Sequence, residues 1–327
     1  MRYRQLGRTG LRVSEIGFGA WGIGGDSYGS VDDGESCEAL LKAFERGITL
    51  FDTADLYGAG HSETLIGRTL RPVRDCIVLA TKGGTLPHSG FYMPQDFSAT
   101  HLAKALDASL LRLGTDHVDL YQLHSPELPL SNSDEIKEFV RNAKDSGKIG
   151  LFGVSVRSPA DALVAIRELG AQCVQLNFNL LDQRCVESGV LDQCEKAGVG
   201  VIARTPLCFG FLSGNLSGNE TFGSRDHRRN WPREQLVRWA EGARLFEGVA
   251  ATRGLQLSQL ALLYCLSPLS VSSVIPGMLN RSEVLMNASI AEMPALDAAT
   301  VGRLRELYRL HNFYDAGAKS PGKAQKK

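Results

Sequence analysis

The sequence predicts a (β/α)₈ barrel, because short apolar segments alternate with longer amphipathic segments along the chain. The short segments are aliphatic or β-branched and lack a polar face, which is typical of parallel strands covered on both sides. Eight of them are recognisable, at residues 16–20, 49–53, 77–81, 118–123, 151–156, 173–177, 200–203 and 271–275. Strand–helix alternation repeated in this way is the pattern of a (β/α)₈ barrel.

The segments between the strands have the ends expected of helices. Residues 101–114 place apolar side chains at helical spacing and stop at Gly114. Residues 133–148 begin with Ser and Asp, and residues 158–170 place Pro159 in the first turn. Two additions to the barrel are also predicted: an N-terminal β-hairpin over residues 3–16 and an extra C-terminal helix over residues 296–310.

The alternative fold is an open, doubly wound sheet with a glycine-rich dinucleotide-binding turn. The first predicted strand is followed by Gly22, Gly24 and Gly25. A loop separates these glycines from the first predicted helix, whereas a dinucleotide fingerprint needs them to open that helix directly. The barrel is therefore favoured.

One connection, residues 207–256 after the seventh strand, is far longer than the others. Its middle, residues 214–229, is rich in Gly, Ser, Asn and Arg, and residues 232–249 predict a helix. Because barrel active sites lie at the carboxyl ends of the strands, this long loop is expected on the active face.

Composition argues against several classes of function. The chain has 327 residues with 36 basic and 36 acidic side chains, which gives no electrostatic reason to bind nucleic acid or an anionic membrane. No apolar run is long enough to span a membrane, and the N-terminal residues lack the apolar core of a signal peptide. The seven cysteines are scattered without a CxxC pair, which predicts reduced thiols, a cytoplasmic location and no metal site.

Domain organisation is predicted to be simple. No linker divides the chain, so residues 1–315 are expected to form a single barrel domain. Residues 316–327 are polar, basic and contain Gly and Pro, and they are expected to be a disordered tail.

Ionisable residues follow three consecutive predicted strands. Asp52 ends the second strand and is followed by Tyr57, Lys82 ends the third strand, and His124 ends the fourth. Each residue alone is more often structural. Together they have a chemical logic, because an ammonium lowers the pKa of a nearby phenol and a carboxylate keeps that ammonium charged. The set predicts a general-acid site for an oxygen that gains electron density during hydride addition to C=O, with His124 orienting the carbonyl.

These residues lie within motifs that extend over nearly the whole chain: LGRTGLRVSEIGFG, FDTADLYGAGHSETLIG, LATK, DHVDLYQLH, GVS, VQLNFNLL, TPLCFGFLSG and VIPG. By these motifs the chain resembles the aldo-keto reductases. The resemblance implies a catalytic tetrad of Asp52, Tyr57, Lys82 and His124. It also implies an NAD(P)H cofactor extended across the barrel mouth and transfer of its 4-pro-R hydride to a small-molecule carbonyl substrate.

The resemblance further implies a set of cofactor-binding residues. Ser155 and Gln175 match positions that hold the nicotinamide carboxamide, although Val156 replaces the usual Asn. Arg204 replaces an aromatic ring that stacks on nicotinamide, and a guanidinium plane can also stack. The loop around the pyrophosphate is matched by Thr205, Leu207, Gly210, Leu212 and Ser213, with Cys208 in place of a common glycine.

The adenosine end is matched by Ile275, Gly277, Arg281, Glu283 and Asn287. Users of NADP often carry a basic residue or Gln at the position of Glu283, because a carboxylate repels a 2′-phosphate and accepts a hydrogen bond from a free 2′-hydroxyl. Arg281 could instead pair with a phosphate, and Glu283 could equally support the first turn of its helix. The family favours NADPH over NADH.

Aromatic residues on the active face are candidates for the substrate pocket: Trp21, Tyr28, Phe91 and Tyr92, with Phe209 and Trp231 nearby. An aromatic wall suits apolar or sugar-like carbonyl compounds, and loop packing is the alternative for each ring.

Three functions compete. A catalytic oxidoreductase is favoured over a cofactor-binding regulatory subunit, because the tetrad is intact and no long partner-binding extension is present. A metal-dependent barrel hydrolase would need an HxH pair, which the seven histidines do not provide. A monomer and a homo-oligomer are both left open.

Overall fold

A computed structural model describes residues 1–88, 90 and 92–314. Within this part of the chain, eight parallel strands lie side by side in sequence order. They are β3 Phe18–Gly19, β4 Leu50–Asp52, β5 Val78–Gly83, β6 Val118–His124, β7 Ile149–Ser155, β8 Cys173–Asn177, β9 Gly200–Arg204 and β10 Val271–Ile275. The predicted N-terminal hairpin precedes them as two antiparallel strands, β1 Tyr3–Gln5 and β2 Arg12–Ser14.

The first and last strands of the barrel meet at a seam. The Gly17 N–H donates to the carbonyl of Val274 at 2.8 Å, and the Gly19 N–H donates to the carbonyl of Pro276 at 3.0 Å. A Cβ atom on Gly19 would lie 2.8 Å from the carbonyl oxygen of Ile275, so glycine is needed for this close approach. The eight strands therefore form a nearly closed barrel, and the predicted (β/α)₈ fold is confirmed.

The predicted first strand is longer than the observed one. The prediction covers residues 16–20, whereas regular pairing covers Phe18–Gly19 and Ile16 pairs with Val274 in an isolated bridge. The cause is the position of this segment at the seam, where its hydrogen bonds cross to β10 irregularly. Two other strands extend one residue beyond their predicted ends, β6 to His124 and β9 to Arg204.

Helices surround the barrel: α1 Asp33–Glu45, α2 His61–Leu70, α3 Ala99–Leu113, α4 Ser133–Asp145, α5 Pro159–Leu169, α6 Arg184–Glu187, α7 Val190–Ala197, α8 Arg233–Thr252, α9 Leu257–Cys265, α10 Arg281–Ser289 and α11 Ala298–Leu310. Their ends follow from the sequence. The Ser98 side chain caps α3, and Gly114 ends it with a φ of 64°. Of the helices in the described residues, none combines the length and apolar character needed to cross a membrane.

The hairpin covers the amino-terminal end of the barrel. Leu6 is fully buried beside Gly200 at the start of β9, and the Arg8 N–H donates to the carbonyl of Gly198 at 2.8 Å. Apolar side chains of the strands fill the interior next to it, among them Leu50 and Leu120. The polar strand residues are therefore gathered at the opposite, carboxyl-terminal end.

Residues 214–231, which we term the excursion loop, lie within the long connection after β9 and precede α8. They pair with the first loop, residues 20–32, between β3 and α1. The His227 N–H donates to the carbonyl of Ser27 at 2.9 Å, and the Gly29 N–H donates to the carbonyl of Arg225 at 3.1 Å. The long connection thus reaches the active face, as predicted.

Candidate active site

A fully buried lysine is the centre of the site. Lys82 Nζ donates to Asp52 Oδ1 at 2.5 Å, to the carbonyl of Thr53 at 2.8 Å and to the Tyr57 hydroxyl at 3.5 Å. Burial lowers the pKa of Lys82, but Asp52 and Tyr57 more than offset this effect and hold the pKa above its ordinary value. The ammonium is therefore charged, and its three contacts account for its three protons.

Two glutamines bind the second oxygen of Asp52. Gln175 Nε2 donates to Asp52 Oδ2 at 2.7 Å, and Gln122 Nε2 donates to the same oxygen at 3.1 Å. Both glutamines lie on strands, Gln175 on β8 and Gln122 on β6. The sequence analysis missed Gln122, although it lies two residues before His124 and so shares its face of the strand.

Tyr57 lies on the turn between β4 and α2. Its ring centroid is 5.1 Å from Lys82 Nζ, and its ring meets the ring of His124 edge to face at 5.7 Å. Burial raises the pKa of Tyr57, Lys82 opposes that effect, and the net direction is upward. The expectation of a lowered pKa is wrong, because the desolvation of the phenolate outweighs the neighbouring ammonium.

His124 ends β6 as a half-buried residue whose Nδ1 atom is buried. Its Nδ1 atom has no hydrogen-bond partner among the described residues. Burial and the positive charge of Lys82 lower the pKa of His124 well below its usual range. The imidazole is therefore neutral, and one ring nitrogen can donate to a carbonyl oxygen without carrying charge.

A second carboxyl, that of half-buried Asp55, lies beside this group. The Asp55 N–H donates to the carbonyl of Lys82 at 3.2 Å, while Asp55 Oδ1 is buried without a partner in the described part of the chain. Burial and the Glu63 carboxylate raise the pKa of Asp55 to about 7. Glu63 is itself bound, by Arg112 at 2.6 Å and by the Thr81 hydroxyl at 2.5 Å. The sequence analysis did not single out this cluster.

The nicotinamide candidates extend the site along the next three strands. Ser155 Oγ at the end of β7 donates to Oε1 of Gln175, in the middle of β8, at 3.4 Å. Arg204 ends β9 and donates through Nη2 to the carbonyl of Val156 at 3.1 Å. Its Nε atom is buried without a partner among the described residues, and burial lowers the pKa of Arg204. An unpaired polar atom of this kind is what a site for a polar ligand would leave behind.

The loop after β9 has an unusual backbone. Three non-glycine residues have left-handed φ angles, 53° at Thr205, 46° at Cys208 and 55° at Phe209. Gly210 follows at 95°, and residues Cys208–Ser213 form a short, kinked turn that contains Leu212 and Ser213. Such strain persists where the surroundings hold it, and it is frequent at ligand-binding loops. Leu207 immediately precedes this turn.

The adenosine candidates lie on and before α10. The Glu283 carboxylate accepts the Leu279 N–H at 2.7 Å, and the Asn280 side chain accepts the Glu283 N–H at 3.0 Å. Asn280 is the N-cap of α10, and the Glu283 carboxylate binds the backbone of the residue before that cap. Glu283 therefore supports the first turn of its helix, as one alternative held. Burial raises the pKa of Glu283. The other candidates flank this turn: Ile275 at the end of β10, Gly277, exposed Arg281 and buried Asn287.

The structure brings some of the predicted substrate residues together. The Trp21 ring lies 6.2 Å from the Tyr57 ring and 5.3 Å from the Tyr28 ring. We call the rings of Trp21 and Tyr28 beside Tyr57 the aromatic wall. Tyr92 is 73% exposed and is not part of it. The prediction for Phe91, like that for the tail, lies outside the described residues. His227 was missed, although the sequence analysis had placed its loop on the active face; its ring lies 4.6 Å from Trp21.

Comparisons with known proteins point to one family. Residues 15–309 match the model of the Aldo/keto reductase family. Aldo-keto reductase YhdN from Bacillus subtilis (strain 168) is 34% identical over 245 residues, which cover 74% of this chain and 72% of the relative. L-glyceraldehyde 3-phosphate reductase from Escherichia coli (strain K12) is 33% identical, with 87% and 86% covered. The "Probable voltage-gated potassium channel subunit beta" from Oryza sativa subsp. japonica is 31% identical, with 91% and 92% covered.

Among solved structures, aldo-keto reductase AKR11C1 from Bacillus halodurans, in its holo form, has a TM-score of 0.77 at 30% identity. The match covers 94% of this chain and 96% of that one. Fold and site together define an oxidoreductase built on a (β/α)₈ barrel. The chain belongs to the aldo/keto reductase family, which reduces carbonyl compounds with NAD(P)H.

Proposed function

We propose that this protein reduces an aldehyde or ketone to an alcohol, or catalyses the reverse oxidation, with Tyr57 as the general acid or base. One observation carries the proposal: Lys82 Nζ donates both to Asp52 Oδ1, at 2.5 Å, and to the Tyr57 hydroxyl, at 3.5 Å. This arrangement supports the proposal, because a phenol next to a fixed positive charge can donate its proton and be stabilised as the phenolate.

Each residue of the tetrad has a distinct task in this proposal. The raised pKa of Tyr57 keeps the phenol protonated at neutral pH, which is the form needed to donate a proton to the carbonyl oxygen. Lys82 stabilises the phenolate as the proton leaves, and Asp52 holds Lys82 in place. Neutral His124 donates a hydrogen bond to the same oxygen and so orients the substrate.

The cofactor supplies a hydride to the carbonyl carbon when it is bound. We propose that Ser155, Gln175 and Arg204 hold its nicotinamide, and the unpaired Nε of Arg204 supports a polar ligand there. The remaining proposed contacts are Thr205, Leu207, Gly210, Leu212 and Ser213 for the pyrophosphate, and Ile275, Gly277, Arg281, Glu283 and Asn287 for the adenosine. We propose NADPH rather than NADH as the physiological cofactor.

The second candidate is a regulatory subunit that binds cofactor with little turnover. The similarity to a protein named as a potassium channel subunit favours it. The complete tetrad favours catalysis, because a subunit without turnover has no chemical need for a charged Lys82 beside Tyr57.

One experiment separates the two candidates. NADPH and NADH oxidation is followed with 4-nitrobenzaldehyde as the substrate, and cofactor binding is measured separately by fluorescence titration. Catalysis predicts turnover with at least one cofactor, and a preference for NADPH in kcat/KM. Tight cofactor binding without any aldehyde reduction would favour the regulatory subunit.

We further propose a cytoplasmic location and a small-molecule substrate as the partner. The seven free cysteines support a reducing compartment, and five of them are buried and so serve as packing residues. The balanced charge supports the absence of nucleic-acid binding. We also propose that residues 1–315 act as one domain.

A further inference from the structure

His227 is held firmly over the active face by its neighbours in the chain. Tyr28 and Asp226 form an antiparallel bridge between the first loop and the excursion loop, and the His227 N–H donates to the carbonyl of Ser27 at 2.9 Å. The Asp226 carboxylate accepts from Arg228 Nη2 at 2.6 Å and from the Arg228 N–H at 2.9 Å. The backbone of His227 is thus fixed on both sides.

The imidazole of His227 is part of the aromatic wall that reaches Tyr57. Its ring centroid lies 4.6 Å from that of Trp21, 4.9 Å from that of Phe209 and 5.0 Å from that of Tyr28. Trp21 lies between His227 and the proposed proton donor, because its ring is also 6.2 Å from the ring of Tyr57. The rings of Tyr57, Trp21 and His227 therefore form a continuous row on the active face.

The polar edge of this imidazole is unused within the described residues. His227 Nε2 is buried and has no hydrogen-bond partner there. Burial lowers the pKa of His227 to about 4, so the ring is neutral near pH 7 and can both donate and accept. An unmet buried nitrogen is unfavourable for folding, and a phenyl ring would complete the same wall without that cost. A hydrogen bond between His227 Nε2 and a bound ligand would remove that cost and would explain why a histidine stands here.

We propose that His227 is a specificity-determining residue that hydrogen-bonds a hydroxyl of the substrate. The inference rests on the proposed carbonyl reduction and names its substrate class: hydroxylated aldehydes and ketones, such as short aldoses. Aromatic faces pack against the C–H groups of such a chain, while the imidazole nitrogen binds a hydroxyl distant from the carbonyl. An unsubstituted aliphatic aldehyde would pack against the same rings but leave His227 Nε2 without a hydrogen bond.

The test compares erythrose with butanal, which have the same chain length and differ in their hydroxyl groups. The ratio of their kcat/KM values is measured for the wild type, for His227→Phe and for His227→Gln. His227→Phe keeps a ring against Trp21 but removes both nitrogens, whereas His227→Gln keeps a hydrogen-bonding group. His117→Phe is the matched control, because His117 lies just before β6, at the end of the barrel away from Tyr57.

We expect His227→Phe to lower the erythrose-to-butanal ratio about tenfold, mainly through erythrose, because one neutral hydrogen bond is lost. His227→Gln should recover part of the ratio, and His117→Phe should leave it unchanged. An equal ratio in the wild type and His227→Phe would overturn the inference.

A binding measurement separates this inference from the proposed function. The Kd of erythritol is measured by calorimetry with the wild type and His227→Phe, and we expect about tenfold weaker binding by the variant. If the wild type reduces no carbonyl compound, the proposed function fails while this Kd still decides the role of His227. Equal Kd values would overturn that role, and circular dichroism of each variant confirms that it is folded.

Discussion

The ammonium of Lys82 lies 3.5 Å from the hydroxyl of Tyr57, and Lys82 is fully buried while Tyr57 is half-buried. The pair explains how a phenol with a raised pKa can still act as an acid. In the resting site, burial keeps the proton on oxygen. When an acceptor oxygen begins to take that proton, the fixed positive charge is already in place to stabilise the phenolate.

Replacement of Tyr57 by Phe is expected to abolish most reduction without loss of cofactor binding. The ring and its contact with His124 are kept, and only the proton donor is removed. We expect kcat to fall about 10²- to 10⁴-fold, which is the usual contribution of a positioned general acid. Stopped-flow turnover and a cofactor titration measure the two properties, and a kcat near that of the wild type would refute the assignment.

The pH dependence of the same reaction follows from the raised pKa of Tyr57. Reduction needs the protonated phenol, and that form persists at every pH below the pKa. We therefore expect kcat for reduction to show no decline attributable to Tyr57 from about pH 6 to about pH 9. A pH profile with a basic limb near neutrality that is lost in Tyr57→Phe would contradict this expectation.

Replacement of Lys82 by Met is expected to destabilise the protein strongly. The change leaves Asp52 buried without its cation, which typically costs about 3–5 kcal/mol. The double variant Lys82→Met/Asp52→Asn removes both charges, and we expect it to recover much of the stability but none of the activity. Urea unfolding measures the first property and carbonyl reduction the second. If the double variant were as unstable as Lys82→Met, the buried pair would not be the cause.

Replacement of Gly24 by Ala is expected to impair catalysis, although Gly24 is not one of the four proposed catalytic residues. A Cβ atom there would lie 2.8 Å from the Gly58 nitrogen and 2.9 Å from the Tyr57 carbonyl carbon, so the turn that carries Tyr57 must move. We expect kcat to fall about tenfold or more and stability to fall by about 1–3 kcal/mol. Gly302→Ala is the control: it lies on α11 with open space around it and should gain up to about 1 kcal/mol.

Replacement of Asp55 by Asn is expected to change how stability depends on pH. The pKa of Asp55 is about 7 in the folded protein and about 3.9 in the unfolded chain, so the folded state holds a proton that the unfolded state releases. The stability that Asp55 contributes is full below about pH 4 and is lost progressively as the pH rises from there through 7.

Asp55→Asn removes this loss. We expect the variant to gain about 2–3 kcal/mol relative to the wild type between about pH 5 and about pH 8. Urea unfolding at both pH values tests this, with exposed Asp192→Asn as the control. Parallel pH dependence of the wild type and Asp55→Asn would exclude a titrating carboxyl.

Replacement of Glu283 by Arg is expected to have two effects of different origin. The carboxylate that accepts the Leu279 N–H is lost, which should lower stability by about 1 kcal/mol. If Glu283 also faces the ribose of the cofactor, the new charge should tighten NADPH about tenfold relative to NADH. Fluorescence titration with both cofactors measures the second effect, and unchanged affinities would limit Glu283 to its capping role.

Much of the fold was predictable because each element has a local cause. The apolar strand segments and the caps such as Ser98 depend on neighbouring residues alone, and the chemistry at Asp52, Lys82 and His124 follows from their positions at strand ends. Tyr57 entered the same set through its place five residues after Asp52 and the chemistry of a phenol near an ammonium. The resemblance to a known family then implied that the four residues form a catalytic tetrad.

The missed features depend on contacts between distant parts of the chain. Gln122 matters because Asp52 lies across the barrel interior from it, and His227 matters because its loop pairs with the first loop. The sequence predicts a lowered pKa for Tyr57, whereas in the structure the pKa is raised. The sequence indicates the nearby ammonium but not the extent of desolvation. Tyr92 was predicted to line the substrate pocket because it is aromatic, but the path of its loop leaves its ring exposed.

The hairpin at the start of the chain has a practical consequence. Because β1 and β2 cover the amino-terminal end of the barrel, residue 1 and the Tyr57 hydroxyl lie at opposite ends of the molecule. An affinity tag or a surface tether on Met1 therefore leaves the mouth of the barrel facing the solution. Immobilised protein oriented in this way should retain its access to substrate, and the amino terminus is the natural attachment point for biosensor or flow-reactor use.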